Sequence, residues 1–272
     1  MAGPLAVVAS VVAIVAALRS VWSPCGLSML SSINPMTEQG RGHRYPVTAA
    51  WFVAGSTLGG AAVGGAAAIL AWLLSLVSVP PAVACWVGAM AALACLAADR
   101  RWFGFVLPDH PRQVDETWLR RYRRWVYAAG FGVQIGSGFA TYIMTAGVYF
   151  TAVAATLTGD PLLALLVWVV FGLTRGLAVL MCASARSPER LAMIHARLAR
   201  LAGWSADAAA AALAWAAFSL AGAAVGWRWP GAAGAVLAAG AAVLAWPRRP
   251  PSDGPAVAAN AEPAAHSVET GR

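Results

Sequence analysis

Apolar residues run along this chain in long blocks, and about twenty such residues suffice to cross a bilayer. The first is MAGPLAVVASVVAIVAAL; residues 45–77, 80–98, 125–158, 161–183 and 206–227 follow, each meeting that length or coming close to it. A seventh stretch, 231–246, is short and either spans or lies at the surface. No basic residue precedes Arg19, so the chain lacks the positive start of a secretory signal and its first block reads as an uncleaved span. The pattern predicts an all-α fold, a polytopic bundle of transmembrane helices.

The first block breaks off into polar residues. Residues 21–35 read VWSPCGLSMLSSINP, with two prolines, a glycine, a cysteine and four serines where a simple membrane helix would continue. Pro24 removes a backbone donor and clashes with the preceding turn, so a helix breaks or kinks there. In lipid, broken backbone persists only where protein or a water-lined cavity satisfies it. The stretch is therefore a candidate transport or redox site of the kind that discontinuous helices build. The alternative is a Pro-kinked packing helix whose serines bond their own backbone.

Composition supports a membrane protein and no ordinary soluble domain: 60% of 272 residues are hydrophobic and only 11% charged. All 19 basic residues are arginine. They gather in the segments 34–44, 99–124 and 184–204, which fall on one side if the spans alternate. By the positive-inside rule these loops are cytoplasmic and the N-terminus is outside, in the cell membrane. Arg248 and Arg249 would also be cytoplasmic if 231–246 spans. The organisation expected is a three-span unit at 1–98, a basic loop at 99–124, a second three-span unit at 125–228, a possible seventh span at 229–246, and a disordered tail at 247–272.

A repeat underlies that division. Trp51, Val53, Gly55, Thr57, Gly59 and Ala61 match Trp168, Val170, Gly172, Thr174, Gly176 and Ala178 at constant offset. A duplicated unit of three spans reverses its direction in the membrane, so the halves form inverted repeats with the cavity between them. The same offset carries Ser23, Pro24 and Cys25 onto Ala140, Thr141 and Tyr142, within the glycine-rich run GFGVQIGSGFATYIMTAG. Both the first and the fourth helix are thus expected to be broken. Gly-xxx-Gly steps at Gly55–Gly59, Gly172–Gly176, Gly60–Gly64, Gly132–Gly136 and Gly222–Gly226 predict close helix packing.

Polar chemistry inside the spans is sparse. Arg19 and Arg175 lie in apolar blocks and have no carboxylate in the hydrophobic part of any span to pair with. Such residues point to an anionic solute or lipid phosphate, or else snorkel to the interface. Cys85, Cys95 and Cys182 read as small apolar residues. His43, His110, His195 and His266 lack metal-ligand spacing, so no metal and no cofactor is expected. Glu38, Arg41, His43 and Arg44 form either a cytoplasmic gate or a solvated loop anchored to lipid headgroups. Residues 186–201 place Leu191, Ile194, Leu198 and Leu201 at helical intervals among arginines, as a helix lying on an anionic membrane surface does. The run WLRRYRRW beside the fourth span reads as an interfacial anchor rather than a nucleic-acid contact. With no lysine there is no phosphate-binding loop of the lysine type, which excludes an ATP-driven pump for this chain alone.

The SPC-G-L element at Ser23, Pro24, Cys25, Gly26 and Leu27, the three-plus-three spans and the N-out topology resemble the membrane domain of the DsbD/CcdA-type thiol-disulfide carriers of cytochrome c biogenesis. That family is itself similar to small-solute exporters of the LysE type. The resemblance covers residues 5–227. It implies that each half carries one Pro-Cys element and that the two cysteines pass reducing equivalents across the bilayer. Cys25 matches the first; Tyr142 stands where the second would be, and Cys182 is the remaining candidate partner. Thiol-disulfide exchange needs a second sulfur.

Three functions are therefore open. The chain is a transporter of a small anionic or thiol-bearing solute, with Arg19, Ser23, Pro24, Cys25, Thr141, Tyr142 and Arg175 at its binding site. Or it is a thiol-disulfide oxidoreductase with Cys25 as catalytic sulfur, serving an extracytoplasmic thiol protein. Or it is a noncatalytic membrane scaffold. Its partners are the lipid bilayer and one of these ligands, with no nucleic acid.

Overall fold

The computed structural model describes residues 3–104 and 118–226, so the expected seventh span and the tail lie outside the described residues. Ten α-helices make up the described chain: α1 (Gly3–Arg19), α2 (Pro24–Ser32), α3 (Pro35–Gly40), α4 (Tyr45–Leu76), α5 (Pro81–Asp99), α6 (Trp118–Arg121), α7 (Arg124–Gly136), α8 (Gly147–Leu157), α9 (Pro161–Leu177) and α10 (Pro188–Ala224). Proline opens α2, α3, α4, α5, α9 and α10, where its missing N–H costs nothing and its fixed φ favours the first turn. Ser23, Asn34, Asp160 and Ser187 accept backbone N–H bonds as side-chain caps.

The protein is an all-α polytopic bundle. Gly3–Trp22, Tyr45–Leu76, Pro81–Asp99, Pro161–Cys182 and Pro188–Ala224 are long and apolar enough to cross a membrane. The fourth span is split into α7 and α8 by the irregular segment 137–146. The first is split as well: α1 runs into a 3-10 turn, Ser20–Trp22, then an extended Ser23, then α2. Both interruptions fall where the proline and the glycine-rich run place them. Gly138 adopts φ +75°, which glycine takes without strain. Gly26 lies so tightly under the first bend that a Cβ there would sit 2.3 Å from the Val21 carbonyl oxygen.

One expected element is corrected. Residues 186–201 do not form a surface helix separate from a sixth span; α10 runs unbroken over 37 residues. Ser187 and Pro188 start it, and no proline interrupts it before Pro230. Its arginine-bearing part is the extension of the span itself.

The repeated segments meet at the centre. α4 packs along α9 and α7, α5 along α10, and α1 against α8, α9 and α10. Glycines set the α4 contacts. A Cβ on Gly55 would lie 2.1 Å from Ala129 O, on Gly60 2.3 Å from Trp168 O, on Gly136 2.0 Å from Ser56 O, and on Gly172 2.4 Å from Ser56 O. Backbones this close gain dispersion contacts that lipid cannot replace. Ser56 adds a hydrogen bond to the Gly172 carbonyl at 2.6 Å. The order of contacts, with Gly60 meeting Gly172 and Val53 meeting Gly176, shows that α4 and α9 run antiparallel. Two copies of one motif crossing head to tail is what an inverted duplication produces. The step Gly222–Gly226 is an exception to the packing rule, since among the described residues nothing lies within 4 Å of a Cβ on Gly226.

Two exposed tryptophans on α4 have the spacing of membrane-edge anchors. Trp51 and Trp72 are both exposed on α4, and 21 residues of helix separate them by about 31 Å. That matches a hydrocarbon core of about 30 Å with indoles at each boundary. Trp125 joins the lower belt, its ring centroid 6.2 Å from that of Trp51. Measured from the Trp51 belt along α4, Ser56 and Gly60 lie about 8 and 14 Å into the core. A backbone bond from Met36 N–H to the Ala185 carbonyl brings the first and third arginine-bearing segments together.

Candidate functional site

The two interruptions come together around Arg175. Its position on α9 follows from the repeat: Gly172 and Gly176 flank it and draw α9 against Ser56 of α4. The side chain is 2% exposed. Its Nη2 donates to Thr141 Oγ1 in the second interruption at 3.3 Å. On another side the guanidinium is close enough to Cys25, at the first interruption, to interact with it electrostatically. Its Nη1 is buried and has no hydrogen-bond partner among the described residues. Cys25 is 2% exposed, and Thr141 is fully buried. The arrangement is a sulfur, a hydroxyl and a guanidinium, each from a different span, sealed from solvent.

An unpaired guanidinium in this setting is costly, because leaving a buried donor unsatisfied forfeits about 1–3 kcal/mol, more when it is charged. It favours any acceptor that reaches it, above all an anion.

The remaining predicted residues divide. Ser23 is fully buried but caps α2 by accepting from Gly26 N–H at 3.0 Å. Pro24 is exposed and acts through the backbone. Tyr142 is half-buried next to Thr141. Arg19 belongs to a separate polar cluster. It donates to Ser205 Oγ at 2.8 Å and to the Ala202 carbonyl at 3.3 Å, both on α10. The expectation that Arg19 has no carboxylate to pair with is overturned. Asp99, half-buried at the end of α5, lies within electrostatic reach of Arg19 and Arg100. It accepts from Thr145 Oγ1 at 2.5 Å and from Ala146 N–H at 2.6 Å, so it caps the start of α8. Asp207, buried on α10, pairs with Arg100 at 3.1 Å.

Glu38 is likewise no solvated loop residue. It is fully buried and accepts from Thr48 Oγ1 at 2.5 Å, from Tyr127 OH at 3.0 Å and from Arg41 at 2.9 Å. These bonds pin α3 to α4 and α7 beneath the first interruption. Sequence reasoning left Glu38 between a gate and a solvated loop and passed over Asp99, because each stands at the polar margin of an apolar block, where carboxylates are usually wet. Asn34 caps α3, its side chain accepting from Thr37 N–H at 3.0 Å. Cys85 and Cys95 sit among buried apolar side chains of α1, α5, α8 and α10, and Cys182 in a second apolar cluster around Tyr45 and Phe52. No disulfide joins any of the four cysteines among the described residues.

No family model matches the sequence, and no solved structure matches it significantly. Curated relatives do. The methylamine utilization protein MauF of Methylophilus methylotrophus is 32% identical over 174 residues, covering 62% of this chain and 60% of that protein. MauF of Paracoccus denitrificans is 31% identical over 180 residues, covering 65% and 64%. MauF of Methylobacillus flagellatus is 30% identical over 174 residues, covering 62% and 60%. The chain thus spans less than two thirds of the length of these relatives.

Proposed function

We propose that this chain is a cell-membrane component of a methylamine-utilisation system that moves a small anionic or thiol-bearing solute between two inverted halves, with its arginine-rich loops in the cytoplasm. The observation that carries the reading is the buried Nη1 of Arg175, without a partner among the described residues, at the point where both interrupted spans converge. Charge selects against methylammonium itself as cargo: a buried guanidinium repels a cation, and no carboxylate contacts this guanidinium among the described residues. The chain would then serve methylamine use by handling an accessory solute.

The test is uptake by proteoliposomes of the purified protein, offered radiolabelled sulfate, thiosulfate, acetate, cysteine and methylammonium in parallel. Accelerated uptake of an anion or thiol, lost in Arg175→Gln, supports the reading. Uptake of methylammonium alone, or of nothing above protein-free vesicles, rejects it.

A second reading is favoured by the closeness of Cys25 to Arg175: transfer of reducing equivalents in the manner of the DsbD/CcdA-type carriers that the SPC-G-L element resembles. Its resolving sulfur would be Cys182, in the Ala178–Cys182 turn that packs against α2. Thiol trapping in intact cells before and after oxidant decides it. A Cys25 that never changes redox state, with Cys25→Ser fully active, removes this reading and leaves the transport reading standing.

A further inference from the structure

Arg175 is not the only buried donor left without a partner on its helix. Trp168 is fully buried, and its indole Nε1 likewise has no hydrogen-bond partner among the described residues. A buried indole N–H ordinarily finds an acceptor. Trp168 and Arg175 are seven residues apart, two turns, so they lie on one face of α9 with about 10 Å of rise between them. Phe171 and Gly172 occupy the same face between them, and Gly172 lets α4 approach closely.

The second interruption runs beside both donors. Phe139 lies against the Trp168 ring at a centroid distance of 5.5 Å, Gly138 meets Phe171, and Thr141 accepts from Arg175. The chain between Gly138 and Thr141 therefore follows α9 from one donor to the other. Gly172 and Gly176, which flank Arg175, meet Ser56 on α4, and Trp168 meets Gly60 and Gly64. Arg175 is thus in the third of the core nearest the Trp51 belt, and Trp168 is close to the middle.

Both orphaned groups are donors that cannot accept. A ligand satisfying them in turn must carry acceptors, and need carry no donor. We propose that Trp168 is a second station for the ligand of Arg175: a small oxyanion or carboxylate leaves the guanidinium and is next held by the indole N–H, as the 137–146 segment moves off α9. This rests on the transport reading above and adds the ligand class, an acceptor-only anion, and the direction of its path along α9. The indole offers one neutral hydrogen bond where the guanidinium offers charge, so the second station is the weaker and favours release.

The experiment uses the full-length purified protein with sodium sulfate, thiosulfate and acetate as probes and methylammonium chloride as cation control. Binding is read from the thermal unfolding midpoint, and exchange from counterflow in proteoliposomes with whichever anion binds. Arg175→Gln is expected to weaken binding about tenfold or more, since a charge-assisted bond is lost. Trp168→Phe keeps the ring packing but not the donor; it is expected to leave binding within about threefold and to slow counterflow by about tenfold. Trp168→His restores a ring N–H and is expected to recover part of the rate. Counterflow at the wild-type rate in Trp168→Phe, with Arg175→Gln defective, overturns the second station and leaves the transport reading intact. If no anion binds the wild-type protein, both fall. Should Trp168→Phe fail to accumulate, Trp168→His decides: exchange above protein-free vesicles supports the station, and none overturns it.

Discussion

Arg19 and Arg175 are both arginines set in apolar helices, each beside an interruption, yet their surroundings are opposite. Arg19 is tied to Ser205 and the Ala202 carbonyl and lies within reach of Asp99. Arg175 has one hydroxyl, a nearby sulfur and an unused donor. The first is a cross-brace between α1 and α10 whose charge is balanced inside the bundle. The second is a charge the fold leaves unbalanced, which is how a site for a passing anion differs from a strut. The difference teaches that an intramembrane charge is best judged by what its neighbours leave unsatisfied.

The largest effect that bears on this contrast is expected at Asp99. Replacing it with alanine strips the cap from α8, orphans the Thr145 hydroxyl and Ala146 N–H, and leaves Arg19 without its balancing charge. Removing one member of a buried ionic cluster typically costs about 3–5 kcal/mol. Asp99→Ala is expected to reduce folded protein severely, read as the monodisperse fraction after detergent extraction and its unfolding midpoint. A near-normal midpoint would mean that the Arg19 cluster is no strut, and the contrast would collapse.

A smaller loss is expected where the frame around Arg175 is held by glycine. Gly136→Ala drives a Cβ into the Ser56 carbonyl and must part α7 from α4; overpacking of this kind costs about 1–3 kcal/mol. Gly65→Ala, on the same long helix but with nothing within 4 Å of its new Cβ, is the control. It should gain about 0.5–1 kcal/mol from helix propensity. Equal midpoints for the two variants would show that the tight crossing does not position α9 and its arginine.

Much of this frame was legible in the residues. Apolar block length predicts the spans, Pro24 the first break, the run from Gly130 to Gly147 the second, and the Trp-to-Ala repeat the crossing of α4 and α9. The repeat and the rule that buried charge marks a site put Thr141 and Arg175 on the same candidate list, but their contact is visible only in the fold. What stayed hidden were groups whose burial depends on chain folding elsewhere. Glu38 is buried only because Tyr127 and Thr48 arrive from other helices. Asp99 is partly covered because α8 begins against it. The arginines of α10 mimic a surface helix because their 3.6-residue spacing is the same whether the helix ends or continues into a span.

The subtlest prediction separates the two arginines by sign. Arg19→Met and Arg175→Met both exchange a guanidinium for an unbranched apolar chain of similar reach, so packing changes little in either. In Arg19→Met the Ser205 and Ala202 bonds go and the half-buried Asp99 keeps its charge with one fewer cation near it. The expected cost is about 1–3 kcal/mol, read as a lower unfolding midpoint. In Arg175→Met one long bond to Thr141 is lost, while an unpaired donor and a buried charge are removed. Replacing an uncompensated buried ion by an apolar side chain is often neutral or stabilising by about 1–4 kcal/mol. The midpoint should therefore hold or rise while anion exchange disappears, since function is retained here at the expense of stability. Equal destabilisation by the two substitutions would place both arginines in the same structural role and leave the interrupted spans without a binding group.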